Sequence, residues 1–308
     1  MNRWFKKLQH CIEYASLRFA VIFVWMMSLP AALRFADGLG CLVFDVLRIR
    51  RRVVLDQMRF ALPDLSESER VDTARRAYQN FARMTIEYIR FPVMKHHEIM
   101  SLCSLYGREH MDWAMAQGKG AVMVAGHFGN WELMGAYLAA LGYPIYFLVG
   151  EQHNKRVDDM MNAHREHMGI GIIHMGVAVR GVIRALRAGH FVALLSDQDA
   201  GTEGVFVDFF GKKASTHQGA AVFALKTGAP ILFGSAIRRK NGRHRFVIER
   251  LTFDHLEGIR PENIYEATQA YTSLLEKTIR RNPDHWFWMH RRWKRRPPEE
   301  ADTSTSVL

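Results

Sequence analysis

Short apolar runs alternate with amphipathic stretches over most of the chain. GAVMVAG (120–126), PIYFLVG (144–150), IGIIHMG (170–176), HFVALLSDQ (190–198), PILFGSAIRR (230–239) and RFVIERL (245–251) are brief and apolar, bounded by glycine, proline or charge, and predict strands. Between them, WELMGAYLAALG (131–142), KRVDDMMNAHREHMG (155–169), VRGVIRALRAG (179–189) and HQGAAVFALKTG (217–228) carry helical periodicity and predict helices. Strands alternating with helices of this length imply an α/β domain with a largely parallel sheet flanked by helices. Upstream, Ser66 with Glu69 forms a capping box, and Val71, Ala74, Tyr78, Phe81 and Ile86 trace a stripe along one helix. Downstream, residues 261–283 form a further amphipathic helix. The polar tail EEADTSTSVL (299–308) lacks the apolar content needed to fold and is expected to be disordered.

The N-terminus breaks this rhythm. FAVIFVWMMSLPAAL (19–33) is uncharged between Arg18 and Arg34, shorter than the roughly 20 residues of a straight span. Pro30 would kink or end a helix there. No small-residue cleavage site follows, and cations flank both sides: Lys6 and Lys7 before, Arg48 and Arg50–Arg52 after. A buried helix remains one reading; a hydrophobic helix that anchors the chain by spanning or dipping into a membrane is the other. The expected organisation is therefore a membrane-anchoring segment (1–45), one catalytic-sized domain (46–298) and the tail.

Composition sharpens the choice of partner. With 308 residues and 48% hydrophobic content, the chain can bury a large core and is neither a disordered polypeptide nor a multi-span transporter. The 42 Lys+Arg against 31 Asp+Glu give a net charge of +11, which suits nucleic acid, an anionic membrane surface or an acidic protein. Cys11, Cys41 and Cys103 have no metal-ligand or disulfide spacing and fit a reducing compartment.

Candidate chemistry begins at AGHFGNWE (125–132), where an apolar run ends in a histidine and a helix starts. His127 and Glu132 are five residues apart, roughly 500° on one helix, so they meet only if His127 precedes it. Gly126 and Gly129 permit the turn, and Asn130 is a suitable N-cap. Glu132 is then expected to hold one imidazole nitrogen while the other removes a proton; the bland alternative is a polar cap at a strand end. Backbone N–H groups of that turn are candidates for meeting a phosphate or oxyanion. No Gly-x-Ser-x-Gly or nearby cysteine supplies a nucleophile, which suggests direct attack by a substrate hydroxyl.

GHFGNWE resembles the H-x4-D/E motif of glycerolipid-type acyltransferases, and in its extended form the late lauroyl/myristoyl acyltransferases of lipid A biosynthesis. SDQDAGTEGVFVDFFGKKASTHQGAAVFALKTGAPIL (196–232) and PDHWFWMHRRWKRRP (283–297) resemble further elements of that family, with coverage of most of residues 20–298. The resemblance implies a single acyltransferase domain that moves a fatty acyl chain from a thioester, on acyl carrier protein or coenzyme A, to a lipid hydroxyl. It implies no cofactor, no metal and no covalent intermediate, at the cytoplasmic face of a bacterial inner membrane. His127 becomes the general base and Glu132 its orienting partner. Arg165 is assigned to acceptor phosphate or oxyanion, and Gly129, Asn130, Asn154, Asp197, Asp199, Thr216, Arg291 and Arg292 to substrate contacts. The Arg-Pro often found upstream of the asparagine is absent, the chain reading VGEQHNK (149–155).

The residues themselves leave some roles open. Asp197 and Asp199 follow an apolar strand, where they can orient basic groups or hold a loop. His164 and His167 lack a third metal ligand and read as a solvated helix face. The cluster from Trp286 to Arg296 suits an interfacial belt with cations on lipid phosphates better than nucleic acid; a basic surface with core tryptophans is the third reading. The acceptor expected from the whole is a lipid A precursor, with another glycolipid or lysophospholipid (such as a phosphatidylinositol mannoside) next. A non-catalytic basic membrane-binding protein is the alternative of a different class.

Overall fold

The computed structural model describes residues 3–297 except 254; the tail expected to be disordered lies outside the described residues. Four helices come first: α1 (Arg3–Trp25), α2 (Leu29–Cys41), α3 (Arg51–Ala61) and α4 (Glu67–Ile89). The α/β alternation then runs α5 (His96–Leu102), β1 (Cys103–Tyr106), α6 (Arg108–Ala116), β2 (Ala121–Ala125), α7 (Trp131–Ala140), β3 (Ile145–Val149), α8 (Lys155–His167), β4 (Gly171–His174), α9 (Ala178–Arg187) and β5 (Phe191–Leu195). A hairpin, β6 (Val205–Phe209) and β7 (Lys212–Thr216), precedes α10 (Gly219–Thr227), β8 (Ile231–Arg238), β9 (His244–Leu251) and α11 (Pro261–Arg281).

Seven strands make one sheet in the order β1-β9-β8-β2-β5-β3-β4. Every pairing is parallel except β8 with β9, which a short turn joins and which therefore run antiparallel. The mostly parallel sheet flanked by helices is the architecture expected from the alternation. β1, α6 and the separate β6–β7 hairpin carry weak patterns and were not expected. The central strand β2 is buried along its whole length. Its alternate side chains enter opposite clusters: Val122 and Val124 meet one, Ala121, Met123 and Ala125 the other. A strand covered on both faces reads as a continuous apolar run, which is why AVMVA shows no alternation.

The apolar N-terminal run does not form one helix. α1 stops at Trp25, and α2 restarts at Leu29 with Pro30 in its first turn, where proline loses no helical hydrogen bond. α4 fixes the break: Arg90 donates to the carbonyls of Val24 and Met27 at 2.7 Å each, and Trp25 Nε1 donates to Ile89 O at 2.7 Å. Val24, Ala32, Ala36 and Ile86 close a small apolar cluster beneath it. Consequently no helix of the described residues is long and apolar enough to cross a membrane.

The capping box at α4 is present in full: Ser66 N–H donates to Glu69 Oε2 at 2.9 Å, and Glu69 N–H to Ser66 Oγ at 3.3 Å. Ser66→Ala should cost about 1 kcal/mol of stability, measured as a lower denaturant midpoint with an unchanged slope.

Candidate active site

β2 and β5 are parallel neighbours in register, Ala125 opposite Leu195. Two residues beyond each strand end come His127 and Asp197, so the register carries both to the same level at the carboxyl edge of the sheet. That edge is where α/β folds gather functional groups. His127 Nδ1 lies 2.7 Å from Asp197 Oδ1, and the His127 backbone N–H donates to Asp197 Oδ2 at 2.8 Å. Trp286 Nε1 donates to the same Oδ2 at 2.8 Å. Burial alone would raise the Asp197 carboxyl, but the imidazole and these donors outweigh it and hold it at about 2. An ionised carboxylate against Nδ1 fixes a proton there and leaves the lone pair on Nε2. The imidazole is partly open to solvent, between the Trp131 and Phe287 rings, with Gln198 Nε2 at 3.5 Å from His127 Nε2.

The carboxylate behind the histidine is therefore Asp197, and the expected Glu132–imidazole contact is not formed. Asn130 does cap α7, accepting from Leu133 N–H at 2.9 Å, so Glu132 starts the helix as anticipated. Its carboxylate faces α8 instead. Arg165 Nε and a terminal nitrogen bind Glu132 Oε2 and Oε1 at 3.0 and 2.7 Å, a bidentate pair with both side chains nearly buried. Burial would lower the Arg165 guanidinium, yet Glu132 raises it above its ordinary value. The fork geometry of guanidinium and carboxylate accounts for that preference. Arg165 is thus committed to Glu132 rather than left free for an acceptor.

Several expected substrate contacts turn out to be internal fastenings. The Gly129 N–H donates to His285 O at 2.8 Å, and Phe287 N–H donates to His127 O at 2.9 Å, so the His127 turn is stitched to the C-terminal segment. Gly129 has φ +60°, and a Cβ there would sit 1.7 Å from Ala236 O, which only glycine avoids. Asn130 is buried, and its Nδ2 donates to Glu87 Oε2 at 2.6 Å. Asn154 caps α8 and ties it to α1 through His10 O at 2.9 Å and Glu13 Oε2 at 3.1 Å. Thr216 is fully buried and bonds Arg292 and Ala214 O. Asp199 pairs with Arg295, while its N–H donates to His290 Nε2 at 3.0 Å. Arg291 is exposed.

The aromatic-cationic cluster is likewise no interfacial belt. Trp286 and Trp288 are 3% and 0% exposed, and Arg292 is 1% exposed with donors on Ser215 O and Thr216 Oγ1. Burial drags the Arg292 guanidinium down to about 10 against the pull of Asp197 and Asp199. Gln57 of α3 holds this segment from outside, donating to Trp288 O at 2.7 Å and His290 O at 2.9 Å and accepting from Arg292 N–H at 2.8 Å. The core-tryptophan reading is the one the fold adopts.

A second buried network escaped sequence reasoning. Glu87 on α4 receives both terminal nitrogens of Arg238, one at 2.7 Å and one at 2.5 Å, and lies 3.3 Å from His244 Nε2. Burial opposes its ionisation, but Arg238 and His244 carry it well below the usual carboxylate range. Through Asn130 it braces the turn that presents His127. Its trace in the sequence is one acid among the mostly apolar residues at the end of α4.

A histidine backed by a buried carboxylate stands at the carboxyl edge of a mostly parallel sheet, an arrangement chemically suited to proton transfer. The chain belongs to the bacterial lipid A biosynthesis acyltransferase family, which matches residues 3–295, and is an acyltransferase. It is 23% identical over 286 residues to a lipid A biosynthesis palmitoleoyltransferase of Escherichia coli K12, covering 91% of each chain. It is 26% identical over 277 residues to a lauroyltransferase of the same organism, covering 89% of each. A phosphatidylinositol mannoside acyltransferase of Mycobacterium tuberculosis is 25% identical over 221 residues, covering 70% of this chain and 68% of that one.

Two substitutions separate the carboxylates. Asp197→Asn should lower kcat on the order of 10³-fold with the fold retained by circular dichroism. Glu132→Gln should instead cost roughly 3 kcal/mol or more, read as a lower unfolding midpoint, because it leaves Arg165 buried without its partner. Asp197 also contributes acid sensitivity. Its contribution to stability is complete above its unfolded value near 3.8 and disappears as pH falls toward about 2. Acid unfolding of Asp197→Asn should therefore depend less on pH across that window than wild type.

Proposed function

We propose that the protein acylates a hydroxyl of a lipid A precursor, taking the chain from an acyl thioester of acyl carrier protein, with His127 as general base. The observation that carries this reading is the 2.7 Å Nδ1 contact to ionised Asp197, which leaves Nε2 as the proton acceptor. Nε2 takes the proton of the acceptor hydroxyl as its oxygen attacks the thioester carbonyl carbon. The tetrahedral adduct then collapses, the carbon–sulfur bond breaks, and the imidazolium returns the proton to the departing thiolate. Oxygen is acylated, the thiol is restored, and no group stays on the enzyme. Glu132 and Arg165 act through position: their ion pair locks α8 against the start of α7.

The membrane side of the reading rests on α1. At roughly 100° per residue, Leu8, Ile12, Phe19, Ile22 and Phe23 share one side of the helix, and all five are exposed. Such a face is suited to lying along the bilayer interface, with exposed Arg48 and Arg52 toward anionic headgroups. The net charge of +11 favours an acidic carrier protein as donor. The mannoside acyltransferase relative supports a second acceptor, since a base that removes a hydroxyl proton is indifferent to the sugar bearing it.

Purified protein in detergent, given labelled acyl carrier protein and a tetra-acylated lipid A precursor, should transfer the chain. His127→Ala should reduce transfer by about a hundredfold or more. Transfer to a phosphatidylinositol mannoside and not to the precursor would reassign the acceptor. Equal rates for both proteins would remove His127 from the mechanism.

A further inference from the structure

A side of α1 about a third of a turn round from its apolar face borders a cavity of about 640 Å³ against α8. Tyr14, Arg18 and Trp25 line it from α1, and Arg156, His164 and His167 from α8. On the helical wheel the three α1 residues fall within roughly 40° of one another, away from the exposed stripe. Two guanidiniums, Arg18 and Arg156, supply the positive charge of the wall, with two imidazoles beside them and Asp159, whose carboxylate already meets Lys155 Nζ at 3.1 Å, as its one acid. Among the described residues, neither Arg18 nor Arg156 has a carboxylate partner. His164 is 5% exposed, with Nδ1 lacking a hydrogen-bond partner among the described residues. Burial first, then the nearby Arg18 and His167, lowers its pKa.

We propose that this cavity holds the phosphate monoester headgroup of a membrane lipid, between the bilayer-facing helix and the helix that carries Arg165. Guanidinium pairs bind phosphate in charge-assisted, bidentate fashion, and Trp25 and Tyr14 provide the amphipathic wall suited to headgroup depth. Since Arg165 is occupied by Glu132, the acceptor-phosphate role passes to the outer side of α8. The inference rests on the lipid-acceptor reading above but not on its chemistry, because binding needs no turnover.

The test is co-sedimentation of the full chain with phosphatidylcholine vesicles, with and without a fixed fraction of phosphatidic acid. Arg18→Gln with Arg156→Gln should weaken the phosphatidic-acid-dependent binding about tenfold and leave binding to phosphatidylcholine unchanged. The same charge loss on the exposed β8–β9 turn, Arg239→Gln with Lys240→Gln, should weaken it by less than about threefold. His167→Gln, at an exposed position, gives a second variant whose fold is not at risk and should show a smaller loss in the same direction. Equal losses for the two double variants would overturn the site in favour of diffuse attraction. Full competition by inorganic phosphate at the headgroup concentration would overturn the lipid source and leave a free-anion site. Vesicle binding that persists in His127→Ala shows the pocket independently of catalysis, whereas acyl transfer with an unchanged KM in the Arg18/Arg156 variant would sink the pocket and spare the enzyme.

Discussion

The site depends on one buried anion. Asp197 is 3% exposed, yet it stays ionised because three donors converge on it: the His127 ring, the His127 backbone and the Trp286 indole. A carboxylate taken out of water without such partners would neutralise itself by taking a proton. The groups that meet here come from three separate parts of the chain. The ring and backbone arrive with β2, the carboxylate with β5, and the indole with a segment nearly ninety residues later. The sheet register, the turn at Gly129 and the packing of the last tryptophans must therefore all be right before His127 has a defined tautomer.

That dependence explains the effort spent on fastening the turn. Gly129 bonds the C-terminal segment, Asn130 bonds Glu87, and Glu87 binds Arg238 on β8. Gln57 on α3 closes the outer side of the C-terminal segment. Buried ion pairs such as Glu87–Arg238 and Glu132–Arg165 contribute little net stability compared with apolar packing, but breaking one is costly. Their use here is geometric: they define where α4, α7, α8 and β8 stand around His127. A general base acts only within hydrogen-bond reach of the proton it removes, so under the proposed reading small errors in placement would translate into rate.

α1 presents two sides of different chemistry. α1 turns large apolar side chains outward and cationic and aromatic ones toward α8. The break after Trp25, held by Arg90, keeps the apolar run from continuing as a single straight helix and lays α2 on α4. Charge on both flanks and a proline within the run had already pointed away from a simple span.

What the sequence by itself determined follows from local rules. Alternating apolar runs and helical stripes gave the parallel-sheet architecture, Ser66 and Glu69 the start of α4, and Asn130 the start of α7, because caps and periodicity act over a few residues. The GHFGNWE and SDQD stretches also marked His127 and Asp197 as chemistry-bearing, each just past a strand. The partnership between them was decided only in three dimensions. Glu132 is five residues from His127 and Asp197 is seventy, yet strand register places the distant carboxylate beside the ring and sends the near one to Arg165. The same holds for Arg292 and the tryptophans: their cationic and aromatic character suggested a surface, while their burial came from a hairpin and helix that no local pattern connects to them. Proximity along the chain governs helices and turns; which groups share a buried charge is set by long-range packing, where the cost of an unpaired ion selects the partner.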